Sequence, residues 1–323
     1  MKGKVVFRAD GGEKTGLGHL IRCYAIAEMV QNNFNIEFAC IDIPGETLLD
    51  FEKKGMKVNV IKDDKELLDL TGPKTVVVLD GYNFPRDYQE DIRRSGSMLV
   101  CIDDWGNTES VADILINHAP EVTSDSYKVL PHTIFALGIE YAMLRKEFLG
   151  AALNTRRRLA LKNILICFGG ADPTNISQKV LENCISNHGF EKINVVTGNS
   201  YTLNEALLDL SASDTRVHVY QSLDQQQMFK MMAEADLAIV PASGMLFEAI
   251  ACGCFIASGC YLDNQRAIYQ GFKKMNAFFD LTDFSELSVL ETIDVKDFSG
   301  NRTGLIDGKS GERINRLFLQ SIQ

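Results

Sequence analysis

The reading of the fold turns on Thr15-Gly16-Leu17-Gly18-His19-Leu20-Ile21-Arg22, which follows the run Lys4-Val5-Val6-Phe7-Arg8-Ala9 and the polar loop Asp10–Lys14. A β-branched run, a glycine turn and then a helical pattern to about Val30 mark one strand–turn–helix unit of a parallel sheet. Glycines at 16 and 18 let the backbone turn sharply and approach a ligand closely. The first N–H groups of the helix they open point outward, where an anion is favoured. His19 falls on the first turn of that helix, at the carboxyl end of a strand, where open α/β sheets bind ligands. Arg8, Asp10 and Arg22 flank it. One short segment thus offers a titratable base, two cations and a carboxylate.

The chain has 323 residues, a length that suggests two domains, and is 46% hydrophobic and 24% charged, as soluble globular proteins are. A net charge of −10 argues against a nucleic-acid binder. It leaves room for an anionic small ligand, because a few amides and one Arg can dominate a pocket. The eight cysteines form no CxxC pair, and most sit in apolar runs. They read as free buried thiols of a cytoplasmic protein. Cys252-Gly253-Cys254 is too isolated for a metal site. The N-terminus runs straight into a strand and no apolar run is long enough for a bilayer, so neither a leader nor membrane insertion is expected.

Further along, strands are expected at 36–41, 58–61, 75–79, 98–102 and 114–116, with helices at 18–30, 46–54 and 85–95 between them. Runs such as Val76-Val77-Val78-Leu79 are apolar throughout, as in a sheet covered by helices on both faces. The alternation pauses at Phe148–Lys162, read as a linker whose Arg156-Arg157-Arg158 run is a solvated face. It restarts with strands at 163–168, 193–196, 217–219, 237–240 and 255–258 and helices at 176–187, 224–235 and 245–252. Ile314, Leu317, Phe318 and Ile322 repeat at helical spacing near the end. The expectation is two doubly wound α/β domains, 1–152 and 153–323, facing a cleft.

Several strand ends carry candidate chemistry. Gly169-Gly170 offers amides to a phosphate, although any β–α turn tolerates two glycines. Pro241-Ala242-Ser243-Gly244-Met245 opens a helix, with Glu248 a turn further on. Either Ser243 and the free amides hold a diphosphate and Glu248 a ribose, or Ser243 is an N-cap and Glu248 a first-turn carboxylate. Tyr261–Gln265 is a turn or a sugar contact. Asp80-Gly81-Tyr82 and Asp103-Asp104 lie at the same sheet edge as His19, and Asp10, Asp80 and Asp103 are all placed to orient its imidazole. The Asp103-Asp104 pair matches no metal-loop spacing, and one of the two is expected to accept from loop amides. His118 ranks below His19.

RADGGEKTGLGHLIRCYAIAE resembles the N-terminal signature of the UDP-2,4-diacetamido-2,4,6-trideoxy-β-L-altropyranose hydrolases of pseudaminic acid biosynthesis. Further likenesses follow in order: VVVLDGY, CIDDW, FALGIEYAMLRKEFL, ICFGGADPTN, ASGMLFEAIACGC, DNQ and IDGKSGERI. The second half also resembles the nucleotide-binding half of the peptidoglycan N-acetylglucosaminyltransferase. The resemblance implies a GT-B fold of two Rossmann-like domains, UDP held by the C-terminal one and the last helix packing back on the first.

Carried over by position, it makes His19 the catalytic residue, with Gly16 and Gly18 beneath it; Arg8, Asp10, Arg22, Asp80 and Tyr82 are taken as substrate-binding residues from their own places near that point in the sequence. Gly170, Ser243, Gly244 and Met245 would face the diphosphate and Glu248 the ribose. Asn264 and Gln265 would lie by the sugar or phosphate, and Ser222-Leu223 by uracil. Met245-Leu246 and Asn117-His118-Ala119-Pro120 depart from the family pattern. The implied activity is metal- and cofactor-free hydrolysis of a UDP-sugar at C1, with UDP and the free sugar as products and inversion at C1. A glycosyltransferase using the same donor, or a binding protein without catalysis, are the alternatives.

Overall fold

The computed structural model describes residues 2–12, 16–154, 158–170, 172, 174–198, 201–202, 205–298 and 304–320. Thr15, Arg156, Arg157, Ala171, Pro173 and Ile322, singled out above, lie outside the described residues. The chain divides into two compact units, one of residues 1–146 with 309–323 and the other of residues 147–308.

The first unit runs β1 (Gly3–Ala9), α1 (Gly18–Val30), β2 (Phe34–Cys40), α2 (Gly45–Lys53), β3 (Lys57–Val60), β4 (Thr75–Asp80), α3 (Arg86–Arg94), β5 (Met98–Ile102), β6 (Ile114–Asn117) and β7 (Ile134–Leu137). Its strands are all parallel, in the order β3-β2-β1-β4-β5-β6-β7. Side chains alternate between the faces of a strand. Val5, Phe7, Val76 and Val78 therefore pack with Leu20, Cys23 and Ile26 of α1, while Val6, Val77 and Leu79 pack with Ile92 of α3. Burial of both faces is why these strands read as unbroken apolar runs.

The second unit runs α4 (Lys146–Leu153), β8 (Asn163–Cys167), α5 (Ile176–Ile185), β9 (Lys192–Thr197), α6 (Glu205–Ser213), β10 (Val217–Gln221), α7 (Gln225–Glu234), β11 (Leu237–Pro241), α8 (Gly244–Ala251), β12 (Phe255–Gly259), α9 (Arg266–Lys274) and β13 (Phe279–Asp280). Its order is β10-β9-β8-β11-β12-β13, again parallel. In each sheet the strand order reverses beside the unit's first strand, between β1 and β4 and between β8 and β11. Those are the switch points at which a parallel sheet leaves a crevice. A final helix, α10 (Ser310–Gln320), returns to the first unit, where Ile314 and Phe318 enter the α1 core.

The linker reading at 148–162 is corrected by the structure. Residues up to Leu153 are helical, and Phe148 is fully buried, edge-on to Phe229 at 5.1 Å. Arg158 is no solvated residue: it is buried and donates to the carbonyls of Ala233 (2.6 Å) and Ala235 (2.9 Å) at the end of α7. Carbonyls at a helix C-terminus lack intrahelical donors, so a guanidinium there satisfies them.

Candidate active site

Asp80, the last residue of β4, pairs in register with Ala9. It shares the parity of Val76 and Val78, so its carboxylate points at α1. On α1, His19, Arg22 and Cys23 are spaced to lie on one face, and all three meet that carboxylate. His19 Nδ1 lies 2.7 Å from Asp80 Oδ1. Arg22 donates through Nη2 to Oδ1 (2.5 Å) and through Nε to Oδ2 (2.6 Å), and the Cys23 thiol approaches Oδ2 at 3.4 Å. Arg22 also donates to both oxygens of Asp104, at 2.5 and 3.0 Å. Tyr82 donates its hydroxyl to Asp104 Oδ2 at 3.0 Å, and its ring meets His19 edge-on at 5.1 Å.

Burial by itself pushes the Asp80 carboxyl up, but the Arg22 guanidinium and the bond to His19 outweigh it and hold Asp80 well below the usual carboxylate range. Asp104 is lowered in the same way, burial again opposing and Arg22 prevailing. The charge state fixes the imidazole tautomer. An ionised carboxylate only accepts, so at 2.7 Å the proton sits on His19 Nδ1. A bare Nδ1 would set two lone pairs against each other. Arg22 Nη2, 3.1 Å from Nδ1, is then a neighbour sharing Asp80 rather than a donor to the ring. In the neutral ring Nε2 then carries the lone pair, and the His19 side chain is 14% exposed.

Of the three carboxylates placed by sequence near His19, the structure brings Asp80. Asp10 accepts from the amides of Ile41 and Asp42 and pairs with Arg8. Asp103 accepts from the Gly106 amide, Asn117, the Tyr127 hydroxyl and Thr108, the loop-amide role expected for one of the pair. Arg8 does not join His19. It shares parity with Val6, is 3% exposed, pairs with Asp10 and Asp64, and stacks on Phe84. Gly16 has φ +70° and exchanges backbone bonds with Gly12, which closes the loop under α1, and Gly18 is exposed at its start.

Asp104, Cys23 and His118 belong to the cluster and carry weight that the sequence reading did not assign them. The signal for Asp104 was the doubled carboxylate at the end of β5. His118 is buried, and that burial, with Arg22 adding to it, lowers its pKa to about 4. It is a neutral ring whose Nδ1 accepts from the Met143 amide at 3.3 Å.

In the second unit the expected residues also gather at strand ends. Gly169 (φ +83°) and Gly170 follow β8, Ser243 caps α8 in extended conformation, Leu223 follows β10, and Asn264 and Gln265 follow β12. The two helix N-termini differ. That of α5 is occupied by its own chain: Asp172 accepts from the amides of Ile176 and Ser177, both at 2.8 Å. That of α8 has no side-chain cap, and nothing lies within 4 Å of where a Gly244 side chain would start. At this edge it is therefore the start of α8, and not that of α5, that its own cap side chain leaves open. Glu248 is buried one turn further on, and Gln265 accepts from the Tyr261 amide at 3.2 Å. Among the described residues no group of three or more His, Cys, Asp or Glu side chains is placed to hold a metal ion. No helix among them is long and apolar enough to cross a membrane.

Two parallel α/β sheets of seven and six strands, each reversing beside its first strand, define a GT-B protein. Solved structures bear this out. MurG of Acinetobacter baumannii has a TM-score of 0.62 at 14% identity, covering 98% of this chain and 99% of its own. HepE of Anabaena, in complex with UDP and glucose, has 0.55 at 13%, covering 99% of both. The calicheamicin glycosyltransferase CalG4 has 0.56 at 11%, covering 99% of this chain and 95% of its own.

In sequence the chain is distantly homologous to three curated proteins. An uncharacterised protein of Methanocaldococcus jannaschii is 28% identical over 285 residues, 84% of this chain but 58% of that protein. The UDP-2,4-diacetamido-2,4,6-trideoxy-β-L-altropyranose hydrolase of Campylobacter jejuni is 25% identical, covering 82% of this chain and 94% of its own. The spore coat polysaccharide biosynthesis protein SpsG of Bacillus subtilis is 25% identical, covering 84% and 82%. No protein-family model matches the chain.

Proposed function

We propose that the chain is a sugar-nucleotide enzyme of glycan biosynthesis that hydrolyses a UDP-linked sugar at its anomeric carbon. The observation that carries this is the His19–Asp80 pair at 2.7 Å, with Nε2 left as the accepting nitrogen. Distant homology to a hydrolase of this class supports it. Water attacks C1 and gives a proton to Nε2. The bond from C1 to the diphosphate oxygen breaks, and its electron pair leaves with UDP. Asp80 stabilises the imidazolium that forms, and Arg22 keeps Asp80 ionised. Attack from the side opposite the leaving group inverts C1.

In this reading residues 1–152 carry the catalytic loop and residues 153–323 hold UDP. Amides of Gly170, Ser243, Gly244 and Met245 take the diphosphate, Glu248 the ribose hydroxyls and the Leu223 loop uracil. Asn264 and Gln265 serve the sugar or phosphate. Amides aimed at the leaving group lower the barrier most where its charge develops. The substrate to try first is that of the Campylobacter relative.

A transferase reading keeps the donor site and replaces water by an acceptor hydroxyl. Its support is the fold shared with CalG4.

UDP release without any acceptor separates the readings. Hydrolysis predicts release that falls about 10²- to 10⁴-fold in His19→Ala while UDP still binds. Release only on adding an acceptor alcohol supports the transferase. Equal rates in both proteins remove His19 from the chemistry, and UDP binding with no turnover under either condition means a binding protein.

A further inference from the structure

Thr282 and Phe284, in the turn after β13, have φ of +53° and +64°. A β-branched and an aromatic side chain both crowd the backbone in this left-handed region, which Gly, Asn and Asp enter more easily. Of the eight non-glycine residues with positive φ among the described residues, five follow the carboxyl ends of β8, β10 and β13: Asp172, Asn175, Ser222, Thr282 and Phe284. That is the sheet edge read above as holding UDP. Strain of this kind persists only where its surroundings impose it, and it gathers at ligand clamps.

The surroundings do impose it. Asp280 Oδ1 accepts from the Thr282 amide at 2.9 Å and from the Tyr269 hydroxyl at 2.8 Å, and Lys273 holds Oδ2 at 2.8 Å. The Leu281 amide donates to the Ser258 carbonyl and the Phe284 amide to that of Leu281, both at 2.8 Å. The turn so fixed reaches the neighbouring loops. The Cys260 amide donates to the Thr282 carbonyl at 2.7 Å. A side chain on Gly259 would meet that same carbonyl at 2.5 Å. The Gly259 carbonyl accepts from the Ala242 amide at 3.0 Å, one residue before the start of α8 is capped by Ser243. The Phe284 ring is buried, edge-on to Phe168 at 4.9 Å and to Tyr261 at 6.1 Å. Tyr261 donates its hydroxyl to the Phe168 carbonyl at 3.4 Å and its amide to Gln265 Oε1 at 3.2 Å.

We propose, resting on the nucleotide-sugar reading above, that the turn at 280–284 braces the UDP edge. Thr282, Phe284 and Tyr261 are positioning residues. They set the loops at 169–170, 242–244 and 261–265 in their binding arrangement before the ligand arrives. Donors fixed in advance bind an anion without first being ordered, and they stabilise a developing charge without reorganising. A turn that merely closed the sheet edge would not need the strained conformation at Thr282, whose side chain is exposed.

The test is Thr282→Gly in the full-length chain, read by calorimetry with UDP, by thermal unfolding and by amide hydrogen exchange without ligand. Glycine accepts this φ without strain, so the unfolding midpoint is expected to hold or rise. UDP binding is expected to weaken about tenfold, because loosened loops must be ordered on binding. Exchange is expected to quicken at 169–170, 242–244 and 260–265 and to stay unchanged in β1–β7. UDP affinity equal to wild type, or a loss that comes with a lowered midpoint, overturns the proposal.

Tyr261 gives a second test that leaves the turn intact. Tyr261→Ala is expected to weaken UDP binding by a similar factor, and Tyr261→Phe, which keeps the ring against Phe284, to restore most of it. Wild-type affinity in Tyr261→Ala overturns its positioning role. If wild type binds no UDP yet Thr282→Gly still frees the three loops, the brace stands and the nucleotide-sugar reading falls. If neither is seen, both fall.

Discussion

At the scale of the residue, one carboxylate does two jobs. Asp80 holds the His19 proton on Nδ1 and anchors Arg22, which in turn fixes Asp104 and, through it, Tyr82. Asp80→Asn is expected to lower turnover about 10²- to 10⁴-fold by disturbing the tautomer. It also costs about 3–5 kcal/mol of stability by leaving the buried cluster short of a negative charge. Because the Asp80 carboxyl is held below its ordinary value, its contribution is present above the unfolded carboxylate range and is lost as pH falls through the folded value. Urea unfolding of wild type and variant across pH should show their difference shrinking progressively as pH falls below about 4.

His118 acts in the same direction, but over a higher pH window. Its pKa drops from 6.5 to about 4 on folding, so between those values the unfolded chain binds the extra proton and stability falls as pH falls. The loss reaches about 3 kcal/mol. His118→Asn, which keeps an acceptor for the Met143 amide, is expected to flatten that slope. The parity linking Val76 and Val78 to Asp80 was legible in the sequence. It was not enough to choose among Asp10, Asp80 and Asp103, because hydrogen bonds made elsewhere by the other two decide the matter.

At the scale of the element, two helices that look alike in sequence differ in use. Both α5 and α8 follow a strand and a small-residue turn, but Asp172 closes the first and Ser243 leaves the second without a side-chain cap. Gly244→Asp tests the open one. Its new side chain meets nothing within 4 Å, and a carboxylate suits a helix start, so stability holds. The added charge is expected to weaken UDP binding about tenfold by calorimetry, as like charges repel at a phosphate site. The ends of helices explain Arg158 as well. Arg158→Ala strips charged donors from the carbonyls of Ala233 and Ala235 and should cost about 2–4 kcal/mol in urea unfolding. A three-arginine run ordinarily means a solvated face. Here Arg158 is 6% exposed because helix α7 ends against it, a neighbour that local composition does not reveal.

At the scale of the whole molecule, the last helix completes the first sheet's core. Phe318 is fully buried and edge-on to Phe34 at 6.3 Å. Phe318→Ala is expected to cost about 3–5 kcal/mol. Hydrogen exchange should show protection lost in β1–β7 and kept in β8–β13. The amino-acid sequence by itself determined the alternation of strand and helix, the parallel sheets, the glycine turn under His19 and the start of α8. Each of these is written in local periodicity and turn chemistry, which need only neighbouring residues. Tertiary structure alone decided which carboxylate holds His19, 61 residues away, and that Arg158 is buried against a carbonyl 77 residues on. It also decided that Asn33 meets Asn315 across 282 residues. The physical reason is that such bonds are chosen by which chain segments the packed sheets bring together, and competing partners of the same chemistry are equal until that packing exists.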